Sequence, residues 1–278
     1  MKKSNYIAGQ WVEGTSSIKN INPSDTSDII DEYTTCTDEQ FEQSIQSAAG
    51  AQKEWEIVGI EKKSQILTKI GDELIQKSKI IGELLSREEG KPLNEGIGEV
   101  SRAGQQFQYY GSECLRLYGE KIPSTRPGFQ VEISREPLGT IGIISPWNFP
   151  IAIPAWKAAP AMMCGNAVIL KPASLTVGSA IALTEIIAKQ DIPAGLFNLV
   201  LGSGSDIGYK IATHPEIAAI TFTGSVEVGK QLYQNSSSSM KKMQMEMGSK
   251  NPLVVMDDAD LKTAITCAVN GAYGGTGQ

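Results

Sequence analysis

Between Thr140 and Met247 the chain repeats one pattern: a short apolar run, then a longer segment with helical periodicity. The runs are Thr140–Ser145, Ala167–Lys171, Phe197–Leu201, Ile217–Phe222 and "KMQMEM", with helices expected near 151–164, 177–189, 205–213 and 226–234. Short strands that are apolar on both faces, joined by crossover helices, bury themselves in a parallel sheet covered on both sides. The expected fold class is therefore α/β, a Rossmann-like parallel sheet with crossover helices. Its ligands are to be sought where strands turn into helices at the carboxyl ends.

Upstream the pattern differs, and an N-terminal helical segment is expected before the sheet. "NYIAGQWVEG" reads as a hairpin around Gly9, and "INPSDTSDIIDEYT" as a turn feeding a strand. From Thr37 to about Gly119 the spacing is helical. Asp38 is the expected N-cap of a helix with Phe41, Ile45, Ala48 and Ala49 on one side. The stretch 61–89, with Ile66, Ile70, Leu74, Ile81, Leu84 and Leu85, reads as a helix ended by Gly90 and Pro92, and 95–117 as its successor. "GFQVEISREPLG" alternates at Val131 and Ile133 like a half-exposed strand. After Asn251, "NPLVVMDDADLKTAITCAVNGAY" reads as a strand, an acidic N-cap at Asp258 or Asp260, and a helix.

Several function classes fall away. A net charge of −6 without a Lys/Arg cluster does not make a nucleic-acid surface. Ile141–Leu170 imitates a membrane span, since Lys157 is its one charge. It also holds Pro146, Pro150, Pro154 and Pro160, so it reads as buried core rather than a spanning helix. The start "MKKSNYIAGQ" lacks the apolar region of a signal peptide. Cys36, Cys114, Cys164 and Cys267 are scattered, with no metal-type spacing, and are expected as free thiols in a reducing cytoplasm. The one histidine, His214, stands before Pro215 and has no local nucleophile to serve.

Five strand-to-helix turns carry residues with chemistry, each beside a structural alternative. "SPWNFP" (145–150) is either a proline-bounded turn or a mount for the Asn148 amide as donor to an oxyanion. In "KPAS" (171–174), Lys171 is a strand-end lysine or a cation for ribose hydroxyls or phosphate. "GSGSDIG" (202–208) is one residue longer than the dinucleotide fingerprint and is weak as such, but its glycines let backbone approach a ligand. In "FTGS" (222–225), Ser225 is a helix N-cap, or that helix start holds a pyrophosphate. In "MQMEM" (243–247), Met243, Met245 and Met247 share one face. Glu246 on the other is a solvated side chain or, facing a cleft, a general base.

In this order and near this spacing, the five segments closely resemble the aldehyde dehydrogenase superfamily, over the whole chain from "NYIAGQWVEG" to "GGTGQ". The resemblance implies Asn148 as oxyanion donor and Glu246 as the base that activates water. It places Lys171 and Ser174 at the adenosine ribose of NADP or NAD, and Ser225 at the pyrophosphate. Ser145, Pro146, Trp147, Phe222, Thr223 and Gly224 are expected along the cofactor, with Gly204 and Gly208 in the helix beside it. It implies an NAD(P)-binding domain over 1–247, with 120–138 in an oligomerisation sheet, and the start of a catalytic domain over 248–278. The partners implied are a small aldehyde and a homodimer or homotetramer.

Two departures stand out. Family members usually carry Gly-Gly where this chain has Gly248-Ser249, which is expected to tilt the turn presenting Glu246. Where many NAD-preferring members carry an acidic residue at the ribose, this chain has Ser174, so NADP is expected to be tolerated or preferred. "REEGKPLNEGIGEVSRAGQQF" and "RPGFQVEISREPLG" look most like 2,5-dioxovalerate (α-ketoglutaric semialdehyde) dehydrogenases, with succinate semialdehyde as the second choice.

In the family, "GQ" is followed by one residue and then the nucleophilic cysteine, so Gln278 is expected two positions short of it. Cys267 and Cys164 read as core residues rather than substitutes. The chain alone is therefore expected not to oxidise aldehydes. The competing expectations are a non-catalytic NAD(P)-binding module, completed or not by a separate chain supplying the C-terminal half, and an inactive remnant.

Overall fold

The computed structural model describes residues 4–277; the basic start of the chain and Gln278, both used above, lie outside them. A tight hairpin comes first, β1 (Asn5–Ile7) and β2 (Gln10–Val12). Its turn places Ala8 at φ 51° and Gly9 at φ 80°, the positive pair that matches the twist of a two-residue hairpin. Two more strands follow, β3 (Ser17–Ile21) and β4 (Ile29–Thr34), which pair only with each other.

The helical segment is α1 (Asp38–Glu56), α2 (Ile60–Gln76), α3 (Ser78–Glu89) and α4 (Leu93–Glu113). The N-cap of α1 is Thr37, one residue before the expected Asp38. Its hydroxyl accepts from Gln40 N while Gln40 returns a bond to Thr37 N, a reciprocal arrangement that a carboxylate at 38 does not complete. The stretch read as one helix over 61–89 is two, broken at Lys77. Gly90 then ends α3 with a left-handed φ of 87°. A two-stranded ribbon, β5 (Glu120–Pro123) and β6 (Gln130–Ile133), follows. Both faces of β6 are exposed, the apolar one with Val131 and Ile133 included, so the half-buried reading does not hold: no described residues cover the apolar side.

The Rossmann-like part then unfolds as the periodicity predicts. It comprises β7 (Thr140–Ile144), α5 (Ala152–Met163), β8 (Ala167–Lys171), α6 (Val177–Ala188), β9 (Phe197–Leu199), α7 (Tyr209–Thr213), β10 (Ile217–Gly224), α8 (Val226–Ser236) and β11 (Lys242–Met247). The Gly204–Gly208 turn leads directly into α7. The last helix is α9 (Leu261–Tyr273), capped by Asp260, whose carboxylate accepts from Thr263 N at 2.8 Å. The strand expected after Asn251 does not form: residues 251–256 are irregular and exposed, and no described strand lies beside them to pair with. Cys267, expected in the core, is exposed on α9, a helix with no buried residue.

The sheet order is β11-β10-β7-β8-β9-β1-β2, parallel from β11 to β9 and closed by the antiparallel hairpin. Right-handed crossovers put α5 and α6 on one face, backed by α2, α3 and α4. They put α7 and α8 on the other, beside α1, which α7 meets through Lys210–Asp38 and His214–Glu42. The chain reverses its winding between β7 and β10. That switch point opens a crevice at the carboxyl ends of the strands. No helix among the described residues is long and apolar enough to cross a membrane.

Candidate active site

A cavity of about 950 Å³ lies in that crevice. Three of its walls are strand ends: Pro146, Trp147 and Asn148 after β7, Thr223, Gly224 and Ser225 at the end of β10, and Glu246 on β11. The β10–β11 register sets Thr223 opposite Glu246 and Thr221 opposite Gln244, so all four side chains share one face. Gly224 is required here. A Cβ on it would stand 2.5 Å from the Phe222 ring, which is itself packed in the core.

Helix α5 supplies the fourth wall, with Trp156, Lys157 and Pro160. Lys157 is buried and donates from Nζ to Thr221 Oγ1 at 2.7 Å and to Gln244 Oε1 at 3.0 Å. Gln244 Nε2 in turn donates to Glu246 Oε1 at 3.0 Å. The carboxamide therefore stands between ammonium and carboxylate, with its oxygen toward the cation and its nitrogen toward the anion. Burial pushes the Lys157 ammonium down to about 8, against the opposing pull of Glu246.

The polar atoms around the crevice are short of partners. Seven buried side-chain oxygens among the described residues make no hydrogen bond, though Glu89 Oε2 has an ion pair with Lys91; Ser145 Oγ, Asn148 Oδ1, Thr176 Oγ1 and Thr223 Oγ1 are four of the seven. All four follow or end the parallel strands β7, β8 and β10. Buried polar groups are ordinarily satisfied, so this concentration marks where a polar ligand fits. The N-terminus of α8 opens on the same cavity, with Ser225 as its N-cap accepting from Val228 N at 3.3 Å. Its unpaired first-turn N–H groups suit an anion.

The remaining expected residues lie around this centre rather than in it. Ser145 is buried behind the turn, and Phe222 is core. Lys171 ends β8, buried, with Nζ donating to its own Pro172 carbonyl at 2.9 Å; burial pushes it down to about 8. Ser174 is half-buried in the turn between β8 and α6. Gly204 lines a separate groove with Ser205, Tyr209 and the Val228–Leu232 side of α8, while Gly208 is buried. The groove and the cavity thus flank the first turns of α8.

None of the four cysteines lines the cavity. Cys36 and Cys114 are buried, and burial pushes their thiols up to about 12 and about 11. Cys164 ends α5, half-buried, on another groove. His214 caps α7 and meets Glu42 at 3.3 Å, a structural role. No cluster of three or more metal-ligating side chains occurs among the described residues. Lys157 and Gln244 were missed in the sequence. The one signal for Lys157 was that it is the lone charge in a thirty-residue apolar stretch.

Fold and cavity define a class: a Rossmann-like α/β protein with a cavity at the carboxyl ends of its parallel strands. The chain belongs to the aldehyde dehydrogenase family, whose model matches residues 11–278. It is 40% identical over 276 residues to an α-ketoglutaric semialdehyde dehydrogenase of Bacillus subtilis, covering 99% of this chain and 57% of that one. Among solved structures, an aldehyde dehydrogenase of Brucella melitensis biovar abortus superposes with a TM-score of 0.97 at 33% identity, covering 100% of this chain and 58% of that one. A betaine aldehyde dehydrogenase of Staphylococcus aureus, solved in complex with NAD+, gives 0.95 at 30% identity, covering 98% and 55%. The chain spans less than three-fifths of the length of these relatives.

Proposed function

We propose that this chain is the cofactor-binding part of an NAD(P)-dependent dehydrogenase that oxidises a dicarboxylic semialdehyde, 2,5-dioxovalerate first and succinate semialdehyde second. The observation that carries the reading is the set of unpartnered buried oxygens gathered at the ends of β7, β8 and β10 beside the open N-terminus of α8. Residues 1–247 form the NAD(P)-binding domain, 248–278 begin the catalytic domain, and the ribbon at 120–138 belongs to an interface between subunits of a homodimer or homotetramer. The exposed Ile122, Phe129, Val131 and Ile133 support that last assignment. Four free cysteines fit a cytoplasmic setting.

Each residue has a task in this reading. The first turn of α8, with Gly224 and Ser225, receives the pyrophosphate, and Lys171 with Ser174 receives the adenosine ribose. Gly204 and Gly208 shape the groove on the far side of α8, and Ser145, Pro146, Trp147, Phe222 and Thr223 shape the path between. When bound, the nicotinamide supplies a hydride acceptor. The Asn148 amide donates to the oxyanion that forms when a thiolate attacks the aldehyde. Glu246 then takes a proton from the water that releases the acid. Because no cysteine of this chain lines the cavity, the thiolate comes from further polypeptide, continuous with the chain or separate from it.

Titration of the chain with NADP+ and NAD+ tests the reading, by tryptophan fluorescence or calorimetry. Micromolar binding is expected, with NADP+ at least as tight as NAD+. Ser174→Glu should weaken NADP+ by at least ~10-fold and spare NAD+, because a carboxylate repels the 2′-phosphate. Absence of binding for both nucleotides at millimolar concentration would sink the proposal.

A further inference from the structure

The turn that carries Asn148 has little of its own to hold it beyond the backbone bond from Ile153 N to Phe149 O at 3.1 Å. Pro146 and Pro150 contribute no N–H, and α5 starts at Ile151–Ala152 without a Ser, Thr, Asp or Asn to cap it. Glu99 of α4 takes that place. Its Oε1 accepts from Ile151 N and from Ala152 N, both at 3.1 Å. Its Oε2 accepts from Lys91 Nζ at 2.7 Å. The same ammonium donates to the Asn148 backbone carbonyl at 2.8 Å and lies 3.9 Å from the centre of the Phe149 ring. Glu89 Oε2 approaches it at 3.1 Å. Lys91 and Glu99 side chains are each 2% exposed.

Three buried charges, Lys91 with Glu99 and Glu89, are a costly way to stabilise a fold. Apolar side chains of equal volume do as well or better. What an ion pair supplies is direction. Here it grips residues 148 and 149 on one side and 151 and 152 on the other, so the backbone is fixed across the whole turn. The part left free is the Asn148 side chain, which lines the cavity with Oδ1 buried and unpartnered.

We propose that Lys91 and Glu99 are positioning residues for Asn148, a buried clamp that aims its amide into the cavity from behind the turn. The clamp rests on the reading of Asn148 as the oxyanion donor. An amide displaced by about 1 Å loses on the order of 100-fold in rate, so the clamp should act on turnover rather than on cofactor affinity. Neither residue touches the cavity, and their reach to it runs through the backbone of Asn148.

The test uses this chain together with the polypeptide that supplies the thiolate, assayed as Lys91→Met with Glu89→Gln and Glu99→Gln. The triple variant removes all three buried charges together and keeps at residue 99 an oxygen able to accept from Ile151 and Ala152. Lys91→Met alone leaves two bare buried carboxylates and is expected to fold poorly, so it is not the deciding variant. Asn148→Ala serves as reference, with kcat expected to fall ~100- to 1,000-fold. For the folded triple variant, kcat should fall by at least ~10-fold with KM for the nucleotide unchanged. The side-chain amide signals of Asn148, seen by selective 15N labelling, should shift or split. Unchanged kcat and unchanged amide signals, with Asn148→Ala still impaired, would overturn the clamp and spare the oxyanion reading. Full activity of Asn148→Ala would instead overturn that reading and the clamp with it. If the triple variant loses kcat and nucleotide affinity together, Lys91 and Glu99 serve the fold at large and the clamp is likewise wrong.

Discussion

Strand β8 and helix α9 are similar in apolar content and opposite in fate. Every residue of β8 is buried, and α6 beside it buries Val177, Ala180, Ile181, Leu183, Ile186 and Ile187. In α9, Leu261, Ile265, Val269 and Tyr273 are all exposed, and so are Leu253, Val254 and Val255 before it. Local chemistry is satisfied in both places: α9 has its Asp260 cap and a regular apolar spacing. Apolar spacing says which face a helix would bury. Whether anything covers that face depends on chain far away in sequence.

The contrast can be broken in four ways. The thiols give the largest separation. Cys267 should react with a thiol reagent at once and Cys164 more slowly. Cys36 and Cys114 should react at least ~1,000-fold more slowly than Cys267 unless denaturant is added, because they are reached only through large openings. Rapid labelling of Cys36 would show that the centre is looser than its burial implies.

Core truncation should differ as sharply. Trp55 is fully buried and donates from Nε1 to the Met162 carbonyl at 2.8 Å, so Trp55→Ala is expected to cost about 3–5 kcal/mol in urea unfolding. Ile265→Ala on α9 should stay within ~0.5 kcal/mol. Equal costs would mean that α9 packs somewhere in solution after all.

A third test concerns Lys171, a charge inside the well-covered centre. Its folded pKa, about 8, lies below the ordinary lysine value of 10.5, so between these limits the unfolded chain holds the extra proton. Stability from this group should therefore rise as pH climbs from 8 toward 10.5. Lys171→Met should stabilise the ligand-free chain at pH 7 by up to ~3 kcal/mol, and the gain should vanish near pH 10.5. A constant gain across that range would show that packing, not charge, accounts for it. The smallest effect is expected at the margin: Ser225→Ala removes the cap of α8 at a cost of ~1 kcal/mol, read from the thermal midpoint.

The parallel sheet and its crossover helices were legible because alternation at a short period is written locally. So were the turns after β7 and β10, where proline and glycine mark the break in pattern. What stayed hidden is what joins distant segments. Lys157 is a lone charge in an apolar stretch until the fold brings it to Thr221 and Gln244, 64 and 87 residues on. Lys91 and Glu99 carry no mark in the sequence, and their meaning depends on a carbonyl 57 residues from Lys91. The misplaced strand at 251–255 has the same origin, since β-type composition forms no strand without a neighbour.

The hairpin at the far edge of the sheet sets an order in time. Its backbone is sewn to the other end of the domain: Ala8 N donates to Asn198 Oδ1 across 190 residues, and Leu201 N to Asn5 Oδ1 across 196. On a ribosome adding 5–20 residues per second, roughly 10–40 s pass between the emergence of β1 and that of the strand it must join. Over that interval β1 travels without β9, the strand beside which it is buried. A segment made well before the strand it joins is thus among the last to be locked, and a chaperone that shields nascent apolar hairpins would find its longest engagement there.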